Sequence, residues 1–218
     1  MSGIMPGILK TDRLGYDGKG QHHVNTVAEL QVAFNECNCD CVLEKRANLL
    51  YEISVVVARN QTGVRVSPAV TNEHENGILV RSLWRKDGIN HEMENRAQEC
   101  AVKMAESLDM YGVLAVEFFV TSEGLLFNEM APRPHNSFHA SIEAAYTSQF
   151  EQHIRAVCGL PFGNSSFHTS FEMKNLLGNI PEDDLEKYLK DPYARLHLYG
   201  KNEERPGRKL GHVTRLYP

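Results

Sequence analysis

Hydrophobic and polar positions change period several times along this chain. Short runs with strand character come first: Gly7–Thr11, Gln21–Val24, Cys41–Lys45 and the valine-rich Glu52–Arg59. Between them, Thr26–Cys37 repeats at helical spacing, with Val27, Leu30, Ala33 and Phe34 on one face. Thr26 is its predicted N-cap, and Glu29 completes a capping box. Val64–Val70 and Gly77–Trp84 read as strands joined by the polar stretch Thr71–Asn76. His91–Asp109 reads as an amphipathic helix, Gly112–Thr121 and Leu125–Met130 as paired strands, and a long helix is expected from about Phe138 to Cys158. Pro161–Ser166 looks like a boundary. After it come a strand (Ser170–Leu177), a short acidic helix (Glu182–Lys190), a strand (Arg195–Gly200) and the basic stretch Arg205–His212. Predominant strands, a few long helices and frequent hairpins predict the α+β class rather than a doubly wound sheet.

Composition narrows this little. The 218 residues suit one large domain or a domain with a smaller lobe. A net charge of −5 disfavours non-specific binding to nucleic acid or to a membrane surface, so neither is expected as a partner. No apolar run approaches the roughly 18 residues that span a bilayer, and the N-terminus lacks signal-peptide character. The five cysteines are an odd number, with Cys37, Cys39 and Cys41 crowded together. They make no disulfide framework, and a reducing, cytoplasmic location is expected. On one strand the three thiols would share a face, but no fourth-ligand pattern follows, so metal binding there is not expected.

The region Gly112–Met130 is the most informative. A three-residue loop Ser122–Gly124 with glycine last is a common hairpin connection. It would pair Thr121 with Leu125, Phe119 with Phe127, and Glu117 with Glu129. Val113, Ala115, Phe119, Leu125 and Phe127 then share the glutamates' face, while Leu114, Val116, Phe118, Val120, Leu126 and Met130 take the other. With both faces apolar, the hairpin is expected to be buried. Opposed buried carboxylates are costly. A shared proton, an arginine such as Arg133, or a divalent cation would relieve them, and a salt-bridged structural pair is the plain alternative. Next comes Met130-Ala-Pro-Arg-Pro-His-Asn-Ser137, whose two prolines stiffen a turn presenting Arg133, His135 and Asn136.

A further stretch, Leu14-Gly-Tyr-Asp-Gly-Lys-Gly-Gln21, is rich in glycine, which lets backbone N–H groups approach phosphate oxygens. It matches neither the P-loop nor the GxGxxG pattern. Its flanks make it the tip of a hairpin.

GYDGKGQ, the strand Val42–Ala47, Glu52, the two-glutamate hairpin and NExAPRPHNS together resemble the ATP-grasp family. More narrowly, they are similar to the branch of N5-carboxyaminoimidazole ribonucleotide synthases, the ATP-dependent subunit of phosphoribosylaminoimidazole carboxylase. Ser148–His153, Gly159–Pro161 and Arg205–His212 extend the resemblance over nearly the whole chain. It implies an ATP-grasp fold, with a lid part and a mainly antiparallel sheet with long helices, over residues 1–160 (1–47 being the lid part). A small β-rich C-terminal domain would take residues 161–218. It implies a ligase of purine biosynthesis: ATP and bicarbonate form carboxyphosphate, and the carboxyl group passes to the amine of aminoimidazole ribonucleotide. The alternatives are a nucleotide-binding ATP-grasp portion without catalysis, or a different ATP-grasp carboxylase or formyltransferase.

By this resemblance Lys10, Gly15, Tyr16, Asp17, Gly18, Lys19, Gly20 and Gln21 close over the ATP phosphates. Glu44, Lys45, Arg46 and Ala47 meet the adenine, Glu52 the ribose hydroxyls, and His74 lies near the phosphates. Glu117 and Glu129 hold Mg2+ with Asn128 beside them, although strand alternation puts Asn128 on the opposite face unless the strand bulges there. Arg133, His135 and Asn136 surround bicarbonate. Asp17, Lys19, Lys201, Arg208 and Lys209 bind the ribonucleotide. Members of the family are often homodimers, the sequence itself gives no oligomeric state, and a stand-alone subunit is expected. The family's N-terminal α/β domain of roughly a hundred residues is not part of this sequence, and activity is expected to need it. Two departures from the family pattern stand out. Phe138 replaces a glycine and is expected to reshape the substrate end of the site, and Leu14 replaces another at the lid's entry.

Overall fold

β1 (Gly7–Thr11) and β2 (Gln21–Val24) form an antiparallel hairpin, and β3 (Cys41–Lys45) pairs with the other edge of β1. The structure, a computed structural model, describes residues 3–13, 20–85, 88–202 and 205–218. Gly20 ends the hairpin loop at a φ of +74°, where an added Cβ would meet the Thr11 hydroxyl at 2.5 Å, so glycine is required. α1 (Val27–Cys37) begins at Thr26, whose side chain accepts from the Glu29 N–H. The Glu29 carboxylate reaches back to the Asn25 N–H, one residue beyond the expected box partner. The stripe that packs on this sheet runs through Leu30, Ala33 and Cys37. Val27 and Phe34, expected on the buried face, are exposed, because so narrow a sheet covers only that stripe. Cys37 ends a helix and Cys41 starts a strand, so the three cysteines share no strand face.

These elements belong to one compact unit, Met1–Asn48 with Glu75–Ile78. The second unit holds Leu49–His74 and Leu79–Pro218.

The larger sheet is built around β4 (Leu49–Asn60) and β8 (Gly112–Thr121), flanked by β6 (Val70–Glu75), β7 (Ile78–Trp84) and β9 (Gly124–Ala131). With β10 (Ser170–Leu177), β11 (Ala194–Leu198) and β12 (Lys209–Tyr217), its order is β11-β12-β10-β7-β6-β4-β8-β9, and β5 (Gly63–Val66) pairs with β4. The expected strand Val64–Val70 is broken at Ser67, whose N–H and Oγ both bond the backbone of Val56. The polar stretch after it is itself a strand, β6, because its inward position Asn72 is hydrogen-bonded inside the sheet. The basic stretch Arg205–His212 runs into β12, whose Leu210, His212, Val213 and Thr214 are buried.

β4 and β8 are covered on both faces. On one, α2 (His91–Ser107) lays Ala97, Ala101 and Ala105 against Ile53, Val55, Val57, Leu114, Val116 and Phe118. Alanines four apart let the helix approach the sheet closely. On the other, Val56, Ala58, Val113 and Ala115 meet Phe138, Phe167, Phe171 and Met173. Burial of each such aromatic is worth roughly 1.5–3 kcal/mol.

The expected long helix from Phe138 is instead a 3-10 turn (Asn136–Phe138), α3 (Ser141–Ala144) and α4 (Gln149–Val157). Ala145 is extended and bridges Phe167, and Ser148 caps a new helix, so the helical pattern is cut between them. α5 (Glu182–Lys190) matches its expected bounds. Among the described residues, no helix is long and apolar enough to cross a membrane.

Candidate functional site

The hairpin β8–β9 opposes Glu117 and Glu129, as the sequence implies, but by a different route. The loop has two residues, Thr121 pairing with Gly124, Val120 with Leu125 and Phe118 with Phe127. The extra residue is Asn128, where the register shifts before Glu117 meets Glu129. A one-residue bulge re-aims side chains locally. Leu125 therefore packs on the α2 side, and Leu126, not Phe127, pairs with Phe119. The simple alternation that put Asn128 opposite the glutamates does not run through this point. β9 is also an edge strand: Leu126, Phe127 and Met130 are exposed, so only β8 has the burial expected of the whole hairpin.

Glu117 is the buried member of the pair, and its Oε1 has no hydrogen-bond partner. His135 Nδ1 lies 3.5 Å from that oxygen. Burial pushes the Glu117 carboxyl up to about 7, with Glu129 and Glu52 adding repulsion against the opposing pull of His74. Burial likewise drives His135 down to about 4, helped by Arg133 and Lys209. His135 is thus held neutral and does not serve as a counter-ion. Glu52 and His74 form an ion pair at 2.7 Å. Burial opposes the charge on His74, but the Glu52 hydrogen bond and carboxylate outweigh it and raise its pKa. Ligand atoms of Glu117, Glu129 and His135 lie within 4.8 Å of one another, and so do those of Glu52, His74 and Glu117. Two carboxylates with an unpartnered buried oxygen fit a divalent cation, and they suit magnesium in company with phosphate oxygens.

His135 is held from two sides. Gln149, at the start of α4, accepts from its N–H at 2.8 Å and donates to its carbonyl at 2.7 Å. The imidazole contacts Ser137 Oγ at 2.9 Å, and a buried chain leads on from there. Ser54 donates to Ser137, Asn72 donates to Ser54, and Ser82 donates to Asn72. Asn136 makes a reciprocal amide pair with Asn175, which also donates to the Leu79 carbonyl. Arg133 is exposed, with Nη1 on the Pro134 carbonyl.

Lys201 Nζ bonds the Lys209 carbonyl at 2.7 Å, which brings together two of the three C-terminal cations singled out in the sequence. The third, Arg208, lies between the turn at Gly207 and β12, its carbonyl accepting from the Gly178 N–H. In the first unit, Lys10 Nζ pairs with Glu44 Oε2 at 2.7 Å, and Gln21 sits opposite Lys10 in the hairpin. Lys45 ends β3, the Arg46 N–H bonds the Pro6 carbonyl, and Ala47 follows in irregular backbone. Gly15, Tyr16, Asp17, Gly18 and Lys19, with Leu14, lie outside the described residues. Phe138 does not enter the site. It is fully buried in the core at 6.3 Å from Phe167, in a 3-10 turn whose backbone any residue adopts.

Gln149, Asn175, Ser54 and Asn72 escaped the sequence reading. The available signal was a polar residue at an inward position of an apolar strand, as Ser54 is within Ile53–Ala58.

The chain belongs to the ATP-grasp family, whose domain matches residues 4–150. Residues 172–218 match the phosphoribosylaminoimidazole carboxylase C-terminal domain. Among curated proteins, the N5-carboxyaminoimidazole ribonucleotide synthase of Brucella melitensis is 46 % identical over 220 residues, covering 97 % of this chain and 59 % of its own length. The crystal structure of the synthetase from Thermus thermophilus is 43 % identical with a TM-score of 0.89, covering 97 % of this chain and 57 % of that one. The Aspergillus clavatus synthase, in complex with ADP and 5-aminoimidazole ribonucleotide, is 30 % identical with a TM-score of 0.89, covering 98 % of this chain and 57 % of that one. The chain thus spans little more than half the length of these relatives.

Proposed function

We propose that this chain carries the magnesium-ATP site and the carboxyl-transfer site of an N5-carboxyaminoimidazole ribonucleotide synthase. The carrying observation is the buried Glu117 oxygen, left without a hydrogen-bond partner opposite Glu129. Magnesium bound there would neutralise the ATP phosphates and the charge that develops during phosphoryl transfer. Glu117 and Glu129 hold it, and the Asn128 bulge sets their spacing. Glu52 accepts from the ribose hydroxyls, and its contact with His74 at 2.7 Å orients the carboxylate. We assign Lys10, residues 15–19, Gly20 and Gln21 to the ATP phosphates and Glu44–Ala47 to the adenine, by resemblance to the family. ATP phosphorylates bicarbonate, and the resulting carboxyphosphate passes its carboxyl group to the ribonucleotide amine, releasing phosphate. Arg133, neutral His135 and Asn136 orient the carbonate oxygens. Lys201, Arg208 and Lys209, with Asp17 and Lys19, hold the ribonucleotide, whose phosphate requires cations.

The test is phosphate release from magnesium-ATP with bicarbonate, with and without aminoimidazole ribonucleotide. Stimulation by the ribonucleotide supports the reading. ATP binding without bicarbonate-dependent release would reduce the chain to a nucleotide-binding portion. Absence of ATP binding overturns the proposal.

A further inference from the structure

The C-terminal strands carry titratable groups that the proposed reaction does not use. His197 on β11 and His212 on β12 are direct cross-strand partners. Their rings stack at 4.5 Å with 9° between planes. Glu143 of α3 approaches the same face, its Oε1 2.5 Å from His197 Nε2. Ligand atoms of all three residues lie within 4.8 Å of one another.

Two features distinguish this group from an ordinary ion pair. His212 is 2 % exposed, yet its Nε2 has no hydrogen-bond partner. Glu143 Oε2 is also buried and unpartnered. A buried polar atom left unpaired is destabilising, and here two such atoms belong to one cluster. The other ring nitrogen of His212 sits 2.8 Å from the Tyr199 hydroxyl. When Nδ1–H donates to that oxygen, Nε2 presents its lone pair, the arrangement that orients metal-bound imidazoles.

We propose that Glu143, His197 and His212 form a second metal site, separate from the Glu117–Glu129 pair, for a borderline divalent cation of the zinc class. Two imidazole nitrogens and one carboxylate oxygen suit that class better than magnesium, which prefers oxygen donors. Binding replaces the direct Glu143–His197 contact with bonds to the ion and gives His212 Nε2 a partner. It would clasp α3 to the β11–β12 hairpin. The site does not depend on the proposed reaction.

Cobalt(II) is the probe, because its visible absorption reports nitrogen and oxygen ligation. The chain is titrated in the Glu117→Gln/Glu129→Gln background, which removes the other cation site. One cobalt per chain, displaced by zinc and lost in His197→Gln, is expected. In the unsubstituted chain, zinc must also shift the imidazole NMR resonances of both His197 and His212, a readout independent of how well a variant folds. No cobalt band in the double variant, a band that survives His197→Gln, or unmoved imidazole resonances would each overturn the proposal.

Discussion

Glu117 on β8 and Glu129 on β9 stand opposite each other through a register that shifts by one residue at Asn128. The bulge makes Glu129, rather than Asn128, the partner of Glu117. It joins a buried carboxylate to an exposed one, since β9 lies at the sheet edge. A cation there can be reached from solvent on one side and gripped by a desolvated oxygen on the other.

Glu117→Gln keeps the shape of that grip and removes its charge. Magnesium-dependent ATP binding is expected to weaken at least about tenfold, roughly 1.4 kcal/mol. Titration calorimetry of parent and variant measures it. Equal affinities would remove Glu117 from the metal site.

The raised pKa of Glu117 also makes a stability prediction for the metal-free chain. Its folded pKa of about 7 lies above the ordinary carboxylate value, so the folded state holds a proton that the unfolded state has released. Stability contributed by this group is present at low pH and is lost as pH rises through about 7. Glu117→Gln mimics the protonated form. Its advantage over the parent should be near zero at acid pH and grow to about 3 kcal/mol above pH 8. Urea unfolding of both proteins at several pH values tests this, and a constant difference would contradict it.

Gln149 clamps the backbone of His135 through its amide oxygen and nitrogen. Gln149→Ala strands an N–H and a carbonyl in a half-buried turn. A loss of about 2–4 kcal/mol is expected in urea unfolding. Gln149→Glu keeps the acceptor and loses the donor, so it should fall between parent and alanine variant.

Ser54 sits midway along the chain from Ser82 to His135. Ser54→Ala leaves Asn72 without an acceptor and Ser137 without a donor, at a cost of about 1–3 kcal/mol. The mobility of the His135 ring, followed by NMR relaxation, should rise with it. A ring that stays as rigid as in the parent would show that Gln149 alone positions the turn.

Ala101 faces the sheet at the middle of α2 and is fully buried. Ala101→Leu should destabilise by about 1–3 kcal/mol, because a packed interior takes no added methylenes without moving backbone. A thermal melt unchanged from the parent would mean that α2 stands off the sheet.

Much was legible in the amino-acid order because local chemistry decides it. The β8 run Gly112–Thr121, the α2 helix and the Thr26 cap depend on neighbours within a turn or a strand, and they appear as expected. The opposition of Glu117 and Glu129 was legible too, since their separation leaves few registers. Where the extra residue falls was not. A three-residue loop and a two-residue loop with a later bulge pair the same glutamates, and packing of Leu125 against the α2 side of the sheet accompanies the second. The polar stretch Thr71–Glu75 looked like a loop because its acceptors and donors, Ser54 and Ser82, are distant in sequence. Phe138 looked like an intruder, yet Phe167 and Phe171 offered it a place in the core. Gln149 and Asn175 acquired their partners the same way, across 14 and 39 residues. The sequence by itself determined which neighbouring segments form the two hairpins and which carboxylates meet. Only the tertiary structure decided which faces are buried and which atoms are left unpaired, because burial and hydrogen-bond satisfaction are properties of distant segments brought together.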